Sequence, residues 1–349
     1  MKLEVIVEDN QVNDVINSIK SSAYSGKIGD GKISIKTIED AAINKLRKVQ
    51  IQPKELDDLE IDQGDDFEKI YKVKFDIILT LEPTCPLRDF NNVKKIVGKE
   101  IPISAVLGDQ QASLFGQNCL TSGDVKNTYG TGCFALINTG TEIVHSKNGL
   151  LSTVAFQKEG NEPQYALEGS VSIAGAAVQW LRDNLNIIDD SSEVESLAMS
   201  VKDNGDVYFV PAFSGLFSPH WDETARGVLV GLTRFSNKSH IARAVLESVA
   251  YQSFELLDSM EKDIGIVFES VNVDGGMVDN NLLMQFQSDI FNKKVISQEI
   301  NEITALGVGA ASYLYFNKLP FENMKDFISQ SETWNPNIDP KLRNHYINK

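Results

Sequence analysis

Cysteine and histidine are scarce in this sequence, and neither residue type is grouped. The three cysteines, Cys85, Cys119 and Cys133, lie far apart and form no CxxC pair. This sparse, odd-numbered set is atypical of a disulfide framework and fits a reducing compartment. The four histidines show no metal-ligand spacing. We therefore predict neither a disulfide scaffold nor a protein-bound metal site.

Dense basic segments and long apolar runs are also missing. The chain has 33 Lys and Arg against 49 Asp and Glu, which gives a formal net charge of −16. Such a chain repels nucleic acid and anionic membrane surfaces. No apolar run approaches the roughly 20 residues that span a bilayer. The N-terminal segment MKLEVIVEDNQ lacks the basic and apolar regions of a signal peptide. We predict a cytoplasmic protein that binds neither nucleic acid nor membrane.

The 349 residues show three regions of different character. Residues 1–42 alternate strand, helix and strand patterns, with the helix at 11–22, and predict a β-α-β fragment too small to fold alone. Residues 43–97 are highly charged and predict a linker that contains one isolated apolar strand. Residues 98–349 predict an α/β domain. Its first three strands suggest an antiparallel meander, and the later elements suggest a mixed sheet covered by helices.

An isolated acid introduces a helix-like segment in GDQQASLFGQ (108–117). In one interpretation Asp109 is an N-cap that accepts hydrogen bonds from the first turn. In the other, its position at a helix start aims the carboxylate into a cleft as a general base, a role that contributes about 10²–10⁴-fold to rate. The pattern alone leaves both interpretations open.

Two glycine-rich segments follow strand-like stretches. NTYGTGCF (127–134) is compatible with an ordinary hairpin, and VDGGMVDNN (273–281) turns from a strand into a helix. Bare glycine backbone lets N–H groups approach phosphate oxygens, and a helix N-terminus favours an anion. Two such turns and an isolated acid together indicate phosphoryl transfer, in which positioning does most of the work.

These segments resemble, in order, the C-terminal domain of the FGGY carbohydrate kinase family, in its glycerol-kinase branch. The similarity is carried by IPISAVLGDQQASLFGQ, KNTYGTGCFALINTG, AGAAVQWLRDNL and VDGGMVDNNLLMQFQSDI, and by GVLVGLTRFSNKSHIARAVLE. It covers about residues 98–349. It implies an actin-like (RNase H-like) ATPase domain, with a mixed sheet and helices on both faces, that uses ATP with Mg²⁺ to phosphorylate glycerol.

The resemblance also implies roles for individual residues. Asp109 would take the proton from the glycerol hydroxyl, Gln110 would lie beside the substrate, and the Phe134 ring would pack on its carbon backbone. The implied nucleotide contacts are Thr131 at the ATP phosphates, Gly175 and Gln179 in the cleft, and Gly276 and Asn280 at the adenosine.

The family places catalysis between two domains, and the phosphate loop of its N-terminal domain (DQGTTSSR-like) has no counterpart in residues 1–97. We therefore expect this chain alone to be inactive. Its expected partners are glycerol and ATP, together with either a second copy of the chain or a complementing N-terminal kinase domain. The alternatives are a nucleotide-binding module without catalysis and a misassembled reading frame without its own activity.

Two N-terminal segments resemble other families. Residues 2–40, which include GKIGDGK (26–32), resemble the C-terminal part of PII-type nitrogen-regulatory proteins. Residues 75–89, FDIILTLEPTCPLRD, resemble a stretch of sialic-acid cytidylyltransferases, although Glu82 replaces an expected glutamine. The first resemblance implies a regulatory fragment fused to the kinase-like domain, and the second implies no activity.

Overall fold

A computed structural model describes residues 104–300 and 302–348 in full, and four strands at 4–7, 32–37, 47–52 and 77–80 by their backbone. The chain divides into two compact units, residues 1–116 with 302–328 and residues 117–301 with 329–349. The predicted helix at 11–22 and the loop of the GKIGDGK segment lie outside the described residues.

The elements are named in chain order. The described strands are β1 (Glu4–Val7), β2 (Lys32–Thr37), β3 (Arg47–Gln52), β4 (Ile77–Thr80), β5 (Val125–Tyr129), β6 (Cys133–Gly140), β7 (Leu151–Phe156), β8 (Gln164–Val171), β9 (Tyr208–Val210), β10 (Val228–Val230), β11 (Ser270–Asp274), β12 (Lys294–Gln298) and β13 (Gln330–Trp334). The described helices are α1 (Asp109–Gly116), α2 (Gly175–Asp183), α3 (Glu193–Met199), α4 (Lys238–Ile264), α5 (Asn281–Phe291), α6 (Ile303–Phe316) and α7 (Pro340–Ile347), with a 3-10 helix at Phe321–Phe327.

In the first unit, β1 to β4 form an antiparallel sheet in the order β2-β3-β1-β4. This differs from the sequence prediction in two ways. Strand β3, from the predicted linker, separates β1 from β2, and β4 pairs with β1 instead of standing alone. A lone strand would leave its backbone N–H and C=O groups without partners. The extra strand is RKVQIQ, in which polar and apolar residues alternate. The prediction missed this alternation because residues 43–74 are highly charged.

The same unit contains a very close contact between α1 and α6. A Cβ atom at Gly307 would lie 2.0 Å from the carbonyl oxygen of Ala112, and one at Gly116 would lie 2.4 Å from that of Ile303. Only glycine permits this approach of two helix backbones. The prediction that residues 303–316 form a closely packing helix of small residues is confirmed.

The second unit is built on a seven-stranded sheet in the order β13-β12-β11-β5-β6-β8-β7. Strand β11 is parallel to both β12 and β5, and the other pairs are antiparallel. The predicted mixed sheet with helices is confirmed, but the predicted meander is wrong because β8 lies between β6 and β7. Strand β8 buries Ala166 and Leu167 and takes the inner position, whereas β7 exposes Leu151 and Val154 at the edge.

Long helices cover one face of this sheet and bring its core together. Tyr129 of β5 and Val271 of β11 are fully buried in one cluster with Val249 and Leu256 of α4 and Met284 of α5. Burying side chains of this size stabilises the fold by about 1.5–3 kcal/mol each. This packing sets the ends of β5 and β11 firmly against the helices that follow them.

Candidate functional site

Two glycine turns lie side by side at one edge of the seven-stranded sheet. Strands β5 and β11 are parallel neighbours, with Thr128 opposite Asp274, so their carboxyl ends meet at the same edge. Strand β5 continues into the turn Gly130–Gly132, and β11 continues into Gly275–Gly276. This edge is where ligands bind in open α/β sheets.

The contact between the two turns requires glycine at position 275. Gly275 has a φ of +96°, and a Cβ there would lie 2.3 Å from the carbonyl oxygen of Tyr129. That same oxygen accepts the N–H of Met277 at 3.5 Å. The start of one turn is therefore packed directly on the end of the other strand, which fixes the spacing between them.

The start of α2 holds the Gly130–Gly132 turn by its carbonyl groups. Ala174 and Ala176 donate their N–H groups to the Thr131 oxygen at 2.8 and 3.1 Å, and Gly175 donates to the Gly130 oxygen at 3.0 Å. The first N–H groups of α2 are thus already used, so this helix start is not the anion-binding group. These hydrogen bonds instead hold the Gly130–Gly132 turn against the start of α2.

Backbone N–H groups of both glycine turns remain exposed. Thr131 and Gly276 are exposed, and within residues 104–300 and 302–348 their N–H groups have no protein acceptor. A Cβ at Gly276 would meet no atom within 4 Å. These N–H groups and the Thr131 hydroxyl can bind phosphate oxygens, which an acidic chain must hold by local donors.

Asn280 stands at the start of α5, next to the second turn. Its Oδ1 accepts the N–H of Leu283 at 2.8 Å and so caps the helix. The Nδ2 group can donate to a ligand while Oδ1 caps the helix.

The structure brings the five residues of the predicted nucleotide site to one region of the second unit. Gly175 touches Gly130 next to Thr131, and a Cβ on Gly175 would lie 3.6 Å from the sulfur of Met277, next to Gly276. The remaining two residues are Gln179, exposed one turn along α2, and Asn280. Their roles toward a nucleotide stay predictions.

The predicted substrate residues fall in both units. Phe134 is half-buried on β6, opposite Thr128 and Ser170. Asp109 and Gln110 open α1 in the first unit, where the exposed Asp109 accepts the Gln110 N–H on Oδ1 at 2.7 Å. The carboxylate thus bonds a first-turn N–H while sitting inside the helix. The N-cap interpretation of Asp109 is wrong: Ala112 donates its N–H to the Gly108 oxygen, so the helix is already under way at Asp109, and the side chain bonds the N–H of the very next residue. The general-base interpretation stays a prediction.

Sequence reasoning missed two buried ionisable residues on the strands that lead into the two turns. Lys126 is 0% exposed and Asp274 is 6% exposed, on the adjacent strands β5 and β11. The signal was present as a lysine inside an otherwise uncharged strand and an acid directly before two glycines. Lysine and aspartate are rarely buried to this degree.

The two cysteines among the described residues are unreactive because they are buried. Cys119 and Cys133 are free and fully buried. Burial raises the pKa of both thiols to about 12, so neither forms a thiolate near neutral pH. In residues 104–300 and 302–348, no three His, Cys, Asp or Glu side chains converge on a common point as metal ligands. No helix in these ranges is both long and apolar enough to cross a bilayer.

A sequence model described as the FGGY family of carbohydrate kinases, C-terminal domain, matches residues 125–312, which is more than half of the chain. The match contains both glycine turns, α2 and α5.

Curated relatives are similar over the same part of the chain. The chain is 55% identical to a glycerol kinase of Methylobacterium radiotolerans over 246 residues, which is 70% of this chain and 49% of the relative. It is 53% identical to a glycerol kinase of Brucella anthropi over 251 residues, 71% of this chain and 50% of the relative. The chain thus spans about half the length of the curated relatives it matches.

Solved structures agree with the fold. A crystal structure of Plasmodium falciparum glycerol kinase with ADP matches with a TM-score of 0.68 and 37% identity, over 72% of this chain and 51% of that one. A ligand-bound xylulose kinase from Lactobacillus acidophilus matches with a TM-score of 0.63 over 73% of this chain and 51% of that one; at 21% identity it shows the fold alone. The comparisons give no support to the resemblances predicted for residues 2–40 and 75–89.

Proposed function

The chain belongs to the FGGY family of carbohydrate kinases, whose C-terminal domain it carries, and from this we propose that it supplies one wall of an ATP:glycerol 3-phosphotransferase site. The glycerol kinases among its relatives support glycerol as the substrate. Since the chain spans about half their length, the whole reaction is proposed to need a complementing N-terminal kinase domain. We also propose that the kinase-like domain begins near residue 98 and works in the cytoplasm.

The observation that carries this proposal is the pair of adjoining glycine turns with exposed N–H groups. In the proposed complex, Thr131 and Gly276 bind phosphate oxygens, Gly175 and Gln179 line the nucleotide cleft, and Asn280 donates from Nδ2 to the adenosine. Such donors supply electrostatic stabilisation without reorganising during the reaction. Mg²⁺, which we propose to arrive on the ATP phosphates, would neutralise charge on the transferred group.

Asp109 would be the general base. Its carboxylate accepts the proton of the attacking glycerol hydroxyl as the oxygen bonds to the γ-phosphorus and the bond to ADP breaks. Gln110 would hold a second glycerol hydroxyl, and Phe134 would cover the carbon chain. The position of Asp109 in an exposed first helical turn supports this role, because the carboxylate is open to a ligand.

The nucleotide half of the proposal is tested by titrating ADP into the full chain and following backbone amide signals by NMR. We expect the amides of Gly130, Thr131 and Gly276 to shift in a saturable way, with weak affinity because only one wall of the cleft is present. An affinity near millimolar corresponds to about −4 kcal/mol. Shifts confined to residues outside the second unit would place the nucleotide elsewhere and refute the proposed site.

The catalytic half is tested with a coupled assay for ATP-dependent glycerol phosphorylation. We expect no turnover by the chain alone and measurable turnover when the N-terminal domain of a glycerol kinase is added. A chain that by itself reaches the roughly 1–100 s⁻¹ of typical kinases would show that it needs no second wall.

A nucleotide-binding module without turnover is the second candidate. It is favoured by one observation, that all five predicted nucleotide residues lie in one unit while Asp109 and Gln110 lie in the other. In this case, ADP would bind as above, but no added kinase domain would restore phosphorylation. The N-terminal β1–β4 sheet would then serve as the link to a partner or to a second copy.

A further inference from the structure

An acidic side chain from α3 lies at the start of α5, beside the second glycine turn. Oε1 of Glu195 accepts the N–H of Leu282, the second residue of α5, at 2.8 Å. The first N–H groups of a helix have no partner within the helix and are well placed to bind an anion. At α5, one of these groups is already bonded to a carboxylate of the protein. Neither the nucleotide contacts nor the catalytic roles proposed above use Glu195.

Glu195 and the neighbouring N-cap residue together occupy this helix start. Oδ1 of Asn280 accepts the N–H of Leu283 at 2.8 Å, so two consecutive N–H groups of the first turn bond side chains. A helix N-terminus carries only about half of a positive elementary charge, which a full carboxylate charge outweighs. The exposed Asp279, next to Asn280 in the chain, adds a second acid. The start of α5 is therefore acidic.

Packing fixes the elements on both sides of this hydrogen bond. Val194 and Ala198 of α3 are buried in a core cluster that also contains residues of α2 and α4, and Leu282 of α5 packs against the same cluster. The carboxylate and its N–H donor therefore belong to helices that share one core. An anion at the start of α5 would have to displace Glu195 from a preformed hydrogen bond.

The two glycine turns offer different surroundings. The N–H groups of Thr131 and Gly276 are exposed, and no protein acceptor bonds them within residues 104–300 and 302–348. The strands that lead into these turns carry one buried base, Lys126, and one buried acid, Asp274, so both signs of charge are represented there. A phosphate is therefore favoured at the turns over the start of α5, where the ionisable side chains named above are both acids.

We propose that Glu195 is a specificity-determining residue that keeps anions away from the start of α5. In the nucleotide complex, its charge reserves this end of the site for the uncharged part of the ligand and directs the phosphates to the two glycine turns. It also selects against an adenine nucleotide that carries an additional phosphate on the ribose. The proposal rests on the proposed function for the adenosine at Asn280, whereas the exclusion of anions from α5 does not depend on it.

The nucleotide experiment compares AMP with adenosine 2′,5′-bisphosphate, which differs from AMP by the ribose phosphate. Both are titrated into the full chain, and the amide signals of Gly276 and Leu283 are followed by NMR. We expect the parent to prefer AMP. Glu195→Gln keeps an oxygen that can accept the Leu282 N–H but removes the charge, and should reduce this preference by about fivefold, the effect of one charge near a protein surface. The reduction should be smaller in 1 M salt, where the screening length is about 3 Å.

Glu193→Gln is the matched control. It removes the same charge from the same helix, but the Glu193 carboxylate accepts the N–H of Asp189 instead of one from α5. The preference for AMP should therefore stay as in the parent. An unchanged preference in Glu195→Gln, or an equal change in Glu193→Gln, overturns the proposal. Equal weakening of both ligands in Glu195→Gln also overturns it, because that result would show a structural role alone.

A second arm uses inorganic phosphate and needs no nucleotide site. Phosphate is titrated into the parent and into Glu195→Ala, and the Leu282 amide signal is followed. We expect a saturable shift in the variant, whose Leu282 N–H has lost its carboxylate, and none in the parent. Equal responses overturn the proposal.

The two arms fail independently of each other. If Glu195→Ala does not fold, Glu195→Gln takes its place in the phosphate arm and should respond more strongly than the parent; an equal response again overturns the proposal. Failure of the parent chain to bind AMP and ADP counts against the proposed function, while the phosphate arm still decides the role of Glu195.

Discussion

Gly175 donates its backbone N–H to the carbonyl oxygen of Gly130 at 3.0 Å, and a Cβ on Gly175 would lie only 2.6 Å from that oxygen. The glycine is therefore required by the protein itself, before any ligand is considered. The same contact joins the start of α2 to the turn proposed to bind phosphate.

Gly175→Ala should weaken both the fold and the ligand site. The added methyl group must push the Gly130 carbonyl away. This disturbs the turn and the hydrogen bonds that α2 donates to it. We expect a lower Tm and an ADP affinity reduced by about tenfold, the effect of roughly 1.4 kcal/mol. Thermal unfolding and ADP titration of the same preparation measure the two effects. An unchanged Tm would mean that the turn is not held by α2.

Gly276→Ala is the contrasting change. A Cβ there meets no atom within 4 Å, and its φ is not in the left-handed region, so the Tm should stay nearly the same. A ligand phosphate that approaches this backbone would meet the new methyl group. We expect weaker ADP binding at constant stability, measured by titration and thermal unfolding. Equal ADP affinity in the parent and this variant would remove Gly276 from the ligand site.

Asp109→Asn separates the helix role of this residue from its chemical role. The amide oxygen of asparagine can still accept the Gln110 N–H. The Tm should therefore change little. In an enzyme reconstituted with an N-terminal kinase domain, turnover should fall by at least about 10²-fold because an amide cannot take the hydroxyl proton at neutral pH. Turnover close to that of the parent would leave Asp109 with only its helix role.

Asp263, in the last turn of α4, should make stability depend on acid pH. Burial alone would raise the pKa of this carboxyl, but hydrogen bonds from Ser146, Asn148 and the Lys147 N–H leave it below its ordinary value of 3.8. A lowered pKa in the folded state means that the stabilisation is present above about pH 4 and is lost as the pH falls through the folded value.

The measurement compares the Tm of the parent and Asp263→Asn at pH 7 and near pH 3. At pH 7 the variant should be less stable by about 2 kcal/mol, the usual effect of losing hydrogen bonds to a charged group. Near pH 3 the difference should shrink as the parent carboxyl takes up its proton. A constant Tm difference at both pH values would show that the carboxylate charge contributes nothing.

Local pattern was enough for most elements of residues 98–349. The helices at 303–316 and 281–291 and the strand at 164–171 were predictable because their apolar spacing and their flanking glycines agree with their tertiary surroundings. The glycine turns were recognisable for the same reason. Element β3 was missed because six alternating residues were masked by a charged neighbourhood.

The sequence by itself determined the family, the two glycine turns and the acidic residue at the start of α1, since each is written in contiguous residues. Only the tertiary structure decided that β8 lies between β6 and β7, that the first N–H groups of α2 bond the carbonyl oxygens of Gly130 and Thr131, and that Thr128 lies opposite Asp274 on parallel strands. These relationships join residues that are far apart in the chain. They depend on which strand buries more apolar surface and which backbones can approach, and no local pattern carries that information.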